Sequence, residues 1–171
     1  MSAVRWRSWL GASVVLFLLY GAVNVLAAVL VPATLISGGA GATAPVATLD
    51  ADSYLAGGTQ ALAALRRDNP KLDTLLVSSM VGMCSQMMAF AIVALLVTWF
   101  VIRRGEAWGV WGVTAAALVQ APYYAVIGSM YAAQGAPIAG FIGFVPFYAF
   151  PLLAFGVGIV GLRRMQPAGG R

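Results

Sequence analysis

The amino-acid sequence predicts an all-α membrane protein: a bundle of four transmembrane helices, with a short amphipathic outer helix between helices 1 and 2. Hydrophobic residues make up 61% of the chain and charged residues only 9%, whereas about 25% of a soluble domain is charged. Four apolar runs are each long enough to cross a bilayer, and pairs of arginines follow two of these runs. We therefore expect a single membrane domain that covers residues 1–171.

The first span is predicted at residues 8–31, and Pro32 is expected to end it. A bilayer core of about 30 Å requires roughly 20 apolar residues in a helix, and this run is long enough. It also exceeds the roughly 7–15 apolar residues of a secretory signal peptide. We therefore interpret it as a retained transmembrane helix.

The outer segment, residues 32–73, begins with small residues, and we expect an irregular stretch at 37–50. The amphipathic helix is predicted after it, with Asp52 or Ser53 as its N-cap and Arg66–Arg67 at its C-terminal end. Its apolar face would carry Leu55, Leu62 and Leu65, although the glycine pair at 57–58 weakens it. The alternative is a partly ordered loop.

The other three spans are predicted at residues 74–102, 107–131 and 138–162. Asn69–Pro70 is a favourable start for the second helix, because asparagine caps helices and proline is tolerated at the first helical position. Arg103–Arg104 ends that helix.

The placement of the basic residues predicts a cell (inner or plasma) membrane protein with both termini cytoplasmic. The segments at the two termini and between the second and third spans carry several arginines and few acidic residues, as is typical of the cytoplasmic side. The basic residues of the outer segment are accompanied by aspartates. The first group comprises Arg5, Arg7, Arg103, Arg104, Arg163, Arg164 and Arg171; the second comprises Arg66, Arg67 and Lys71. These charges flank apolar runs and form no continuous basic face, so we expect no nucleic-acid partner.

The residues inside the four predicted spans argue against an enzyme or a proton-coupled transporter. None of the spans contains Asp, Glu, Lys or Arg, and the whole chain contains no histidine. Intramembrane proton pathways and catalytic sites usually need such a residue. We therefore expect a non-enzymatic protein without a cofactor, whose partner is the lipid bilayer.

The sulfur-rich run at 78–90 has two interpretations. Met83 and Met87 have the MxxxM spacing of the thioether pair in copper(I) transporters, and soft thioethers bind copper(I). Methionine is also a flexible packing residue beside aromatic side chains. Because no capture segment or Cys/His exit motif accompanies the pair, we favour packing over a metal site, with Cys84 an inert thiol.

Three amides, Asn24, Gln86 and Gln120, fall near the predicted bilayer centre. Since an unpaired amide in hydrocarbon costs several kcal/mol, we expect these side chains to face the bundle interior and join helices. A second interpretation is a small ligand pocket in the outer half of the bundle. Its further candidate residues are tyrosines at similar depths, namely Tyr20, Tyr123 and Tyr124.

The turn after the second span has a basic-Gly-Glu-x-Trp pattern, formed by Arg103, Arg104, Gly105, Glu106 and Trp108. Gly105 permits the chain reversal, and Glu106 favours the N-terminus of the next helix. This stretch resembles a group of small four-span bacterial membrane proteins with no assigned activity. The resemblance implies a fold and a location, but no activity.

Two functional hypotheses follow. The first is a non-enzymatic accessory or structural subunit of a membrane assembly, with a membrane-protein partner or as a homo-oligomer. The second is a carrier or sensor of an apolar small molecule, such as a lipid or quinone. An intrahelical pocket in the outer half of the bundle would hold that molecule.

Overall fold

The computed structural model describes residues 6–39 and 48–165. Within these ranges it is helical and contains no strand. Seven α-helices follow one another: α1 (Trp9–Gly38), α2 (Leu49–Ala56), α3 (Thr59–Asp68), α4 (Pro70–Phe100), α5 (Ala107–Leu118), α6 (Ala121–Ala133) and α7 (Val145–Met165). Short 3₁₀ helices at Ile102–Arg104 and Ala139–Phe144 precede α5 and α7.

Four helical stretches have the length and composition needed to cross a membrane. They are Trp9–Gly38, Pro70–Arg104, Ala107–Ala133 and Ala139–Met165. The predicted all-α class is therefore confirmed for the described residues, as is the prediction of four helices that are long and apolar enough to span a membrane. The fourth stretch begins as the 3₁₀ helix and becomes α-helical only at Val145.

The first helix is longer than predicted, because Pro32 does not end it. Pro32 lies inside α1, which continues to Gly38. Proline removes one backbone hydrogen bond, and membrane helices tolerate this loss when the rest of the ladder persists. Thr34, two residues further on, donates its hydroxyl to the Val31 carbonyl at 2.9 Å, which provides an additional bond near the gap.

The outer segment contains two short helices, so the prediction of a single helix with an Asp52 or Ser53 cap is wrong, whereas the predicted place of Arg66 and Arg67 at a helix C-terminal end is confirmed in α3. Gly57 and Gly58 have φ of 85° and 128°, a region that favours glycine, and they separate α2 from α3. Thr48 caps α2, and its hydroxyl oxygen accepts a hydrogen bond from the Ala51 amide at 3.3 Å. Of the predicted irregular stretch 37–50, residues 40–47 lie outside the described residues; 37–38 and 49–50 are helical.

The third membrane-spanning stretch is interrupted at Val119–Gln120, where α5 ends and α6 begins. Pro122 lies at the second position of α6. A proline disfavours helical geometry in the residue before it and is tolerated in the first turn of a helix. Pro122 therefore lies at a position where it destabilises the helix least.

The described residues fall into two compact units. Unit 1 consists of the described residues of Met1–Asn24, Ala89–Gln120 and Pro146–Arg171. Unit 2 consists of the described residues of Val25–Met88 and Ala121–Val145.

Unit 1 has an apolar core of large side chains with a few close helix contacts. Leu10, Val14 and Phe17 of α1 pack with residues of α4, α5 and α7, all of them almost fully buried. The Ser13 hydroxyl donates to the Ala154 carbonyl at 2.7 Å. Gly161 of α7 lies so near α1 that a Cβ atom on it would be 2.5 Å from the Leu10 amide nitrogen. Small residues thus permit close helix packing here, as is common in membranes.

Two arginines of unit 1 lie over tryptophan rings. The Arg103 guanidinium lies 4.4 Å from the ring centre of Trp99, and that of Arg164 lies 5.2 Å from Trp9. Such cation–π contacts suit residues at a membrane interface. Gly105 has φ of 83°, in the left-handed region that favours glycine, and it caps the short helix Ile102–Arg104. Arg5 and Arg171, which the orientation argument also used, lie outside the described residues.

Candidate functional site

The C-terminal end of α3, beside its turn into α4, holds a buried arginine in unit 2. Asn69 caps α4, because its side-chain oxygen accepts from the Leu72 amide at 3.1 Å. Arg66, near the end of α3, is only 5% exposed. Its Nε donates to an Asp73 carboxylate oxygen at 2.6 Å, and an Nη donates to the Gly39 carbonyl at 3.1 Å. A buried charge needs such partners, so this network positions α3 against α4.

A second polar link in unit 2 joins α2 to α6. The Tyr131 hydroxyl donates to an Asp52 carboxylate oxygen at 2.6 Å, and Asp52 is 8% exposed. Hydrogen bonds to a charged acceptor are stronger than neutral ones. This bond therefore fixes α2 in place.

A cavity of about 250 Å³ lies in unit 2, lined by side chains of α1, α2, α3, α4 and α6. Its apolar lining includes the buried Leu35 and Met80. Its polar lining consists of Asp52, Arg66 and Tyr131. A mainly apolar cavity with a few converging polar groups is the usual form of a small-molecule site.

The part of α4 that contributes Met80 to the cavity also has an exposed side with a different composition. Met80 and Cys84 are buried against Ala28 and Leu35. Positions two residues apart on a helix point about 200° from each other, so Gly82 points away from this core. The exposed residues on this opposite side are small or polar: Ser78, Ser79, Gly82, Ser85 and Gln86. We call these five residues the α4 polar face.

Within the α4 polar face, the Gln86 side-chain amide is the largest polar group without a hydrogen bond to the described residues; the smaller Ser79 hydroxyl also lacks one. Ser78 donates to the Leu75 carbonyl at 3.0 Å, and Ser85 donates to the Gly82 carbonyl at 2.7 Å. No hydrogen bond joins the side-chain amide of Gln86 to the described residues. A Cβ atom placed on Gly82 would meet nothing within 4 Å. The α4 polar face is therefore accessible to another helix. It belongs to a helix that is apolar enough to span a membrane.

Three of the six predicted pocket residues, Tyr20, Asn24 and Gln120, lie in unit 1. Asn24 is buried, and its Nδ2 donates to the Tyr20 carbonyl of its own helix at 2.8 Å. The Tyr20 ring is also buried, edge-on to Phe90, and borders an entirely apolar cavity of about 200 Å³. Gln120 is half-buried, between α5 and α6.

The other three predicted pocket residues, Gln86, Tyr123 and Tyr124, lie in unit 2. Gln86 belongs to the α4 polar face, and Tyr123 is 69% exposed. Tyr124 is half-buried, with its ring 4.7 Å from that of Phe144. None of the six predicted residues lines the 250 Å³ cavity.

The sulfur-rich run is divided between the two sides of α4. Met80 and Cys84 are in the unit 2 core, and Met87 and Met88 pack against that core. Met83, the first member of the MxxxM pair, is 49% exposed. Among the described residues, no group of three or more His, Cys, Asp or Glu side chains is arranged to hold a metal ion. Burial in or against the core favours packing as the role of Met80, Cys84, Met87 and Met88, whereas Met83 lies outside this core.

The cavity residues were missed because their partners are distant in sequence. Tyr131 and Asp52 are 79 positions apart. One signal was present: Arg66 directly follows Leu65 on the predicted amphipathic helix, so an arginine borders its apolar face.

Comparisons of the chain with protein-family models, with curated proteins and with solved structures found no match.

Proposed function

We propose that this protein is a non-enzymatic, multi-pass subunit of a membrane assembly, and that copies of the chain associate through the α4 polar face. The observation that carries this proposal is an exposed glutamine on an apolar helix long enough to span a membrane. In hydrocarbon an unpaired amide costs several kcal/mol. A partner that supplies a hydrogen bond to Gln86 removes this cost.

The residues around Gln86 suit helix association. Without a hydrophobic driving force between helices in lipid, close backbone packing and interhelical hydrogen bonds provide the attraction. Gly82 and the three serines are small enough for another helix to approach closely. They surround Gln86 on the same side of α4, so contact and hydrogen bonding occur on one surface.

A second copy of this chain is the partner that fits best. Two copies inserted with the same orientation place their Gln86 side chains at the same depth in the bilayer. A primary amide donates and accepts hydrogen bonds, so the two glutamines pair with each other across a two-fold axis. Two-fold dimers are also the commonest oligomers of a single chain.

The location and topology are parts of the same proposal. The chain lies in the cell membrane as a bundle of four helices, with both termini cytoplasmic. The arginine–tryptophan pairs Arg103–Trp99 and Arg164–Trp9 support this orientation, because arginines concentrate on the cytoplasmic side.

Energy transfer between labelled copies in liposomes tests the association. Gln86→Leu should raise the dissociation constant about threefold to twentyfold, since interhelical polar pairs contribute about 0.6–1.7 kcal/mol. Gly82→Leu should weaken association further, because the added side chain occupies the contact surface. The matched control is Gly156→Leu, whose Cβ also meets nothing within 4 Å. Equal association of the Gly82 and Gly156 variants would refute the proposal.

A further inference from the structure

The cavity of unit 2 has room for a ring system. An apolar engineered cavity of about 150 Å³ binds benzene, and this cavity measures about 250 Å³. It therefore has the size for a bicyclic ring or a comparable length of hydrocarbon chain. Leu35 and Met80, on α1 and α4, give it an apolar floor.

The polar part of the cavity discriminates by charge. Asp52 and Arg66 both line it and carry opposite charges. Arg66 is already paired with Asp73 at 2.6 Å, and Asp52 already accepts a hydrogen bond from Tyr131, so neither charge depends on a charged ligand for a partner. An anionic group would face the like charge of the Asp52 carboxylate, which repels it. A cationic group would likewise face the like charge of the Arg66 guanidinium, which repels it.

From this geometry we infer that the cavity binds a neutral, mainly apolar molecule about the size of a bicyclic ring, with one hydrogen-bonding group near Asp52 and Arg66. The apolar part packs against the apolar lining, and the polar group forms a hydrogen bond with the side chains at that end. This site is separate from the α4 polar face and does not depend on self-association.

Three naphthalene derivatives test the inference on the full-length protein in zwitterionic nanodiscs. The probes are 2-naphthol, 2-naphthoate and 2-naphthylmethylammonium, which share a ring and differ in charge. Saturable binding is measured by probe fluorescence, and empty nanodiscs correct for partition into lipid. We expect 2-naphthol to bind most tightly. Tighter binding of either charged probe would overturn the assigned ligand class.

Two pairs of variants locate the binding. Ala56→Phe fills the cavity and should abolish saturable binding, whereas Ala63→Phe adds the same bulk at a half-buried position outside the lining. Asp52→Asn keeps an acceptor for Tyr131 and removes the negative charge. It should improve 2-naphthoate binding relative to 2-naphthol on the order of tenfold, and the exposed Asp50→Asn should not. Unchanged binding in Ala56→Phe, or equal effects of the two Asn variants, would refute the site.

Discussion

A pair of glycine-to-alanine variants in α7 tests the helix packing of unit 1. A Cβ atom at Gly161 would lie 2.5 Å from the amide nitrogen and 2.8 Å from the Cα of Leu10, whereas one at Gly156 would meet nothing within 4 Å. Leu10 is 1% exposed, and the clashing atoms are backbone, so no side-chain rotation relieves the contact. Overpacking of this kind costs about 1–3 kcal/mol.

The matched pair isolates this cost. Alanine favours a helix over glycine by about 0.8–1.0 kcal/mol, and both variants share that gain. Gly161→Ala should therefore be less stable than Gly156→Ala by about 1–3 kcal/mol. Equilibrium unfolding by SDS in mixed micelles, followed by tryptophan fluorescence, measures the difference. Equal stability of the two variants would show that α1 and α7 do not meet at this glycine.

Two further matched pairs test unit 2. Tyr131→Phe removes the hydrogen bond to Asp52 and should lower the protection of α2 amides against hydrogen exchange by about 1.5–3 kcal/mol. The exposed Tyr123→Phe should leave that protection unchanged, and a similar loss in both would argue against the bond. Cys84, which is 5% exposed, should react more slowly with a membrane-permeant maleimide than a cysteine in place of the 49% exposed Met83 in a Cys84→Ala background, because neighbouring positions share the same depth in the bilayer and differ in burial. Fast labelling of Cys84 in the folded protein would contradict its place in the core.

The fold class was predictable because the requirements of a bilayer leave few alternatives. A long uncharged apolar run must be a helix there, since every backbone polar group needs a partner. This constraint fixes the existence of the helices, but it fixes their ends only loosely. Pro32 was expected to end α1, and the helix tolerates it instead. The glycine pair Gly57–Gly58 was expected to weaken a helix, and it separates two.

The site was harder to predict because it depends on contacts between distant residues. Asp52 and Tyr131 meet only after α2 and α6 have packed, and neither residue belongs to a local motif. The sequence shows which residues of α4 are polar, but it does not show whether they face the protein core or its surface. Gln86 was expected to face the bundle interior, either to join helices or to line a pocket, and the structure exposes it on the side of α4 that faces away from Met80 and Cys84.

Disulfide crosslinking along α4 tests the central claim, that copies of this chain meet on the α4 polar face. Single cysteines replace Ser79, Gly82, Gln86, Met80 or Met87 in a Cys84→Ala background, and the proteins are oxidised in native membranes. We expect crosslinked dimers from the three exposed positions, and none from Met80 and Met87, which are buried or half-buried in the unit 2 core. Crosslinking without this helical periodicity, or absent from all five positions, would contradict the claim.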